Sequence, residues 1–331
     1  VTLNVYDPTT KTIADTGLPL DPELQSGSLR GWIDMRNTEL PNLAAQIGAL
    51  ASGVAEQFNA VHNENIAVPP PAILTGRATG VLATDAHGFS GQTTFYSFDA
   101  SNNVVASYAV DFDNPGTMTM ADVMAEVNGA LGAGTLTLTG GQLTMAAQGG
   151  ATGVGIAQEA ANPSDRGGRG FSHFFGMNDL VATKTTTSFQ TGLTATDAHG
   201  FTGTTTLELI GPNGEEPISM VLDFGAIGGT MTDVVNEINA NMGGFVTASV
   251  DANGVLSFTP ATGFENFRIN VPSDTSDRGG TGTSFSEMFG VGLQYPADAG
   301  LEFSVDPVIS ANLQLLATAR IDPTGTPALT S

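Results

Sequence analysis

The chain has 331 residues, no cysteine and four histidines; only 13% of its residues are charged, and 33 acids against 10 bases leave a net charge of −23. That length suffices for two or three domains with cores of their own, while the missing cysteines exclude disulfides, thiolate nucleophiles and cysteine-held zinc. Nucleic acid and anionic membrane surfaces are excluded as expected partners, because phosphates would be repelled and the few arginines form no stripe.

The opening VTLNVYDPTT is not a charged region followed by an apolar run, and no stretch reaches the roughly 18 apolar residues of a membrane span. Neither a Sec-type signal nor a transmembrane segment is expected. A helical turn or two is predicted from Ser28 through Leu29, Trp32, Ile33 and Arg36, with a kink or fresh start at Pro41, whose missing amide interrupts the ladder. From there Leu40, Ile47, Val54 and Val61 repeat every seven residues, flanked by Leu43, Leu50 and Phe58. This coiled-coil-like seam is expected to form the core of a helical frame, with truncation of a buried member costing about 2 to 5 kcal/mol.

AVPPPAILTGR, residues 67–77, holds three consecutive prolines and predicts a stiff, extended exit. Beyond it the sequence repeats itself. ATDAHGF at residue 83 returns at 195; TMADVMAEVN from Thr119 answers TMTDVVNEIN from Thr230; SDRGG at Ser164 returns at Ser276; FSHFFG from Phe171 answers FSEMFG from Phe285. Ordered landmarks at an offset of about 112 indicate a duplicated domain, since solenoid periods run only to roughly 50 residues.

Each copy reads the same way. Alternating β-formers flank Pro212-Asn213-Gly214 as a hairpin. A short helix comes next, with Val123, Val127 and Leu131 in one copy and Met231, Val234, Val235, Ile238 and Met242 in the other at helical spacing. Thr119 with Asp122, and Thr230 with Asp233, form variants of the capping box. A second hairpin then turns at Gly140-Gly141 or Asn253-Gly254. The expected architecture is α+β and multidomain: a discontinuous helical frame of residues 1–76 plus 300–331, carrying two inserted, duplicated β-rich modules at 77–183 and 188–296. The closing LEFSVDPVISANLQLLATAR is expected to return beside the long helix.

The repeated phrase offers Asp85 with His87, and Asp197 with His199, as metal ligands. Two ligands per module do not close a site, and His173 aligns with Glu287, so no third histidine is shared. The favoured reading is a turn in which the Asp binds local amides and Gly88 or Gly200 supplies a positive φ. SDRGG lacks the lysine and following helix of a phosphate loop, so Arg166 and Arg278 are expected to be tied to neighbouring carboxylates. Phe171, Phe175, Phe285 and Phe289 are expected in the module cores. With no GxSxG elbow, no EF-hand pattern and no histidine-rich cluster, neither catalysis nor a metal or other cofactor is expected.

SGSLRGWIDMRNTELPNLAAQIGALASGVAEQFNAVHNEN, Ser26 to Asn65, resembles the helical core of the flagellar hook-associated FlgK family: a Gly-rich lead, Arg36, the Leu40-Pro41 step, then a long helix ending in Asn59-Ala60-Val61-His62. The closing segment is similar to that family's return segment after its variable middle, and the helix and hairpin around Glu237-Ile238-Asn239 are similar to a module of flagellins and related axial proteins. The Gly-, Thr- and Asn-rich, Cys-free composition resembles that of extracellular bacterial assembly proteins. The resemblance implies a structural, secreted protein of the hook–filament junction, exported by the flagellar type III route, with the hook protein and a second junction protein as neighbours and self-association in a ring. Family members begin and end with long helices that build an inner tube. On that comparison the chain reads as an internal fragment, expected to be monomeric. The rival expectations are a secreted adhesin or carbohydrate-binding protein stabilised by calcium, and a metal hydrolase in which Asp85, His87, Asp197 and His199 converge.

Overall fold

A computed structural model describes residues 2–19, 24, 26–116, 118–292, 294–322 and 328–330. It opens on an antiparallel hairpin, β1 (Thr2–Asp7) and β2 (Thr12–Pro19). Helix α1 (Gly27–Asp34) then runs through a π-helical turn (Met35–Glu39) into α2 (Leu40–Asn63). The expected kink or fresh start at Pro41 takes the form of a π-helical turn after which the α-helix resumes at Leu40 with the proline in its first turn. The widened turn immediately precedes Pro41, where the ring needs room beside the carbonyl of Asn37, and that widening lets the helix continue.

Past the short frame strand β3 (Ile66–Ala67), the first repeat is built on β4 (Ile73–Ala78), β5 (Gln92–Phe98), β6 (Val104–Asp111), helix α3 (Met120–Leu131), β7 (Leu136–Thr139), β8 (Gln142–Ala146), β9 (Gly153–Gln158) and α4 (Phe171–Phe175). Its main sheet has the order β6-β5-β9, antiparallel throughout, and a second sheet has the order β4-β8-β7. After β10 (Val181–Ala182) comes the second repeat: β11 (Phe201–Thr202), β12 (Thr204–Ile210), β13 (Ile218–Asp223), α5 (Met231–Met242), β14 (Val246–Val250), β15 (Leu256–Pro260), β16 (Arg268–Asp274), β17 (Asp277–Arg278) and α6 (Phe285–Phe289). Its sheet order β13-β12-β16 reproduces the first.

Side-chain periodicity explains both cores. In β12 the inward Thr205, Leu207 and Leu209 are fully buried while their neighbours are partly exposed, the period of two that a one-sided sheet demands. Met231, Val234, Ile238 and Met242 lie buried along one face of α5, and Met120, Val123, Val127 and Leu131 along α3. The capping boxes are made: Thr119 with Asp122 and Thr230 with Asp233 exchange hydrogen bonds at both helix starts. Phe171 and Phe175, and Phe285 and Phe289, sit in the two separate hydrophobic cores.

The chain closes through α7 (Gln294–Asp298), β18 (Ser304–Val305), α8 (Pro307–Ala311), β19 (Ala317–Asp322) and β20 (Ala328–Thr330). Strands add to the expected helical frame here. Helix α7 packs against α2, and the return segment also pairs β18 with β10 and places β19 between β20 and β3, so short ladders as well as helices seal the frame. Those strands satisfy backbone groups that buried loop would leave unpaired. Ile66 and Ile321 meet Tyr96 and Phe98 on the outer face of the first repeat's sheet.

Candidate functional site

Helix α2 has two lengthwise seams, and the one that is buried is not the apolar one. Leu40, Leu43, Ile47, Leu50, Phe58 and Val61 are exposed, Leu50 at 69%, and Val54 is half-buried. The expected frame core is therefore an exposed stripe. The buried positions are Gly48, Ala55, Asn59, His62 and Asn63, a second heptad-like line about 100° around the helix.

This second line docks by hydrogen bonds. Asn59 Oδ1 accepts the amides of Leu180 and Val181 at 2.9 and 2.8 Å, and its Nδ2 donates to the Val181 carbonyl at 2.9 Å. Asn63 Oδ1 accepts Ser172 Oγ and the Asn178 amide. His62 Nδ1 lies 2.6 Å from the Asn178 carbonyl, and its Nε2 accepts the Ala317 amide at 2.8 Å, which fixes the neutral ring with its proton on Nδ1. Glu56 accepts from Arg169 Nε at 2.6 Å and from the Thr187 hydroxyl at 2.7 Å, and His173 Nε2 lies 3.2 Å from the same carboxylate. Gly300 packs against Gly48, bringing the turn after α7 onto the helix. The helix thus joins both repeats and the return segment through small and polar groups, leaving its apolar seam outward. A readable signal for this existed: Gly48, Ala55 and His62 also recur every seven residues, one position after the apolar line. Beyond α2, Trp32 is 72% exposed, and Val308 and Leu313 of the return segment stand equally open.

The duplicated turns lie elsewhere. Asp85 Oδ2 accepts the Leu82 amide and Asp197 Oδ2 the Thr194 amide; Gly88 and Gly200 have φ of 67° and 69°. His87 and His199 accept the Phe89 and Phe201 amides at Nδ1. Arg278, fully buried, pairs with Asp85 at 2.7 Å. Arg166 departs from the expected carboxylate partner: its Nη1 and Nη2 donate to the carbonyls of His87 and Thr191, and its guanidinium stacks over Phe174 at 4.4 Å. Burial pulls the Arg166 guanidinium down to about 10. Among the described residues no three His, Asp or Glu side chains are grouped to hold a metal ion, and no helix is long and apolar enough to cross a membrane. A cavity of about 350 Å³ opens between α2, both repeats and the linker after β10, lined in part by Arg77, Asp179, Lys184, Thr187 and Glu287.

The buried titratable groups set an acid limit on the folded chain. Burial lowers the His62 and His199 pKa values below 6.5, against the raising effect of the Asn178 and Gly228 carbonyls. Burial alone would raise Glu56, but His173, Arg169 and Thr187 outweigh it and hold the carboxyl well below its usual 4.5. In both cases the unfolded chain binds more protons than the folded one, so stability falls as pH falls. We expect loss to begin below about pH 6.5 with the histidines and to steepen below about 4.5 with Glu56, by about 1.4 kcal/mol per pH unit for each proton taken up on unfolding. Thermal melts between pH 8 and 4 check this; a flat profile across pH 7 to 5 would contradict the neutral-histidine assignment.

With the helix and its two seams in place, comparison with known proteins bears on the same segment. Residues 1–69 match the family model of the flagellar hook-associated protein FlgK helical domain. No curated protein and no solved structure matches the chain. The match covers α1 and the whole of the two-seamed helix, so it is this segment that is similar to the flagellar hook-associated family.

Proposed function

We propose that the chain is a non-catalytic structural component of the bacterial flagellum, acting outside the cell at the junction of hook and filament. One observation carries the reading: within the segment similar to the FlgK helical domain, a heptad-spaced apolar stripe stands exposed on α2 while polar docking fixes the neighbouring seam. Such a stripe is a surface for other helices. In this reading residues 1–76 and 300–331 are the frame, 77–183 and 188–296 are inserted modules facing outward, and the neighbours are the hook protein, a second junction protein and further copies of the same chain.

The test separates folding from assembly. Ile47→Ser with Leu50→Ser is expected to change thermal stability by less than about 1 kcal/mol, as exposed substitutions do. Carried in the flagellar gene of the source bacterium, the same pair should abolish motility and release unattached filament protein into the medium. Motile cells with normal filaments would sink the proposal.

A further inference from the structure

The two repeats touch through equivalent surfaces, and the contact is reciprocal. Arg166 of the first repeat reaches its own His87 carbonyl and crosses to the Thr191 carbonyl of the second; Arg278 of the second reaches its own His199 carbonyl and crosses to the Gly80 carbonyl and Asp85 of the first. Under the offset of 112, Arg278 answers Arg166, His199 answers His87, and the acceptors Thr191 and Gly80 fall on adjacent equivalent positions. The neighbouring loops behave alike. Gly167 of the first SDRGG packs by Gln190 and Asn253, while Gly279 of the second packs on Leu82 and Thr281 lies by Gly141, the first hairpin's turn. A head-to-tail tandem cannot do this, because each unit would then present different faces to its two sides. Reciprocity of residue i with j and j with i is the mark of an isologous contact about a twofold.

We infer that the surface around Arg166 and Arg278 is a self-recognition surface: the two repeats pair as two copies of one protein would, and a repeat from a second copy of this chain fits the same place. The inference is independent of the flagellar reading, since it rests on residues outside the matched segment. Its two halves are unequal. The Arg278 half carries a carboxylate, Asp85, at 2.7 and 3.1 Å, whereas Asp197 is turned to Thr194 and leaves Arg166 with carbonyls only and a buried Nε without a partner. The Asp85–Arg278 pair is therefore the latch that decides which repeat is held.

Charge exchange tests this in the full chain. Asp85→Arg sets two cations face to face within one chain, and Arg278→Asp sets two carboxylates face to face in another; each pure chain should run as a monomer with a loosened pair. Mixed in equal amounts, each first repeat meets an opposite charge on the other chain's second repeat, and a 1:1 dimer of doubled mass is expected by light scattering. Monomers alone in the mixture, with native circular dichroism for both chains, overturn the inference. Should either variant fail to fold, deletion of residues 184–187 decides instead. It shortens the tether by about 13 Å of extended chain. A concentration-dependent dimer that Arg278→Gln returns to monomer supports the inference, and a monomer at every concentration overturns it.

Discussion

Arg278→Ala is expected to be the most damaging single change on the surface where the repeats meet, at about 3 to 5 kcal/mol, because it strands the Asp85 carboxylate in a buried site. Arg278 is fully buried and donates to Asp85, His199 O and Gly80 O, so one truncation leaves a charge and two carbonyls without their partner. Adding Asp85→Asn to the alanine variant should recover part of the loss by removing that charge, although the new amide side chain would still need to hold the Leu82 amide. Circular dichroism melts of the four chains in this cycle give the coupling directly. The chain's one tryptophan, Trp32, lies exposed on α1 and would report poorly on this event. A loss below about 1 kcal/mol for Arg278→Ala, the range of an exposed ion pair, would show that the pair contributes little beyond the repeats' own cores.

Asn59→Ala is the second large effect, expected at about 3 kcal/mol, since each buried polar group left unpaired costs about 1 to 3 kcal/mol. The Asn59 side chain is the partner of two amides and one carbonyl at Leu180 and Val181, and the residue is 1% exposed. Its loss should free the stretch that enters β10 and, through the pairing of Val181 with Val305, loosen the return segment as well. Hydrogen exchange supplies the check: the Leu180 and Val181 amides should lose protection well before those of β5 and β12. The contrast with Leu50, 69% exposed and nine positions earlier on the same helix, is diagnostic. A polar asparagine should matter more to folding than an apolar leucine.

The duplication, the hairpin turns and both capped helices were legible in the sequence because each is a local pattern. Gly140-Gly141 and Asn253-Gly254 link strand pairs β7–β8 and β14–β15, and the threonine caps stand at the predicted starts. Such features need only near neighbours, so period and turn chemistry suffice. The opening hairpin β1–β2 was not anticipated, because its strands carry mixed polar residues with no clear alternation.

Which side of α2 would be covered was not local. Heptad spacing determined that the helix carries an apolar stripe, and hydrophobicity alone assigned that stripe to the interior. The tertiary structure decided otherwise, because the strands and loops beside α2 present amides, carbonyls, Arg169 and Ser172, which asparagine, histidine and glutamate satisfy and leucine cannot. The same holds for Asp85 and Arg278. Their positions in repeated phrases were plain in the sequence, but that one repeat's arginine would take the other repeat's carboxylate depends on a contact 193 residues apart along the chain, which only the folded arrangement brings within 2.7 Å.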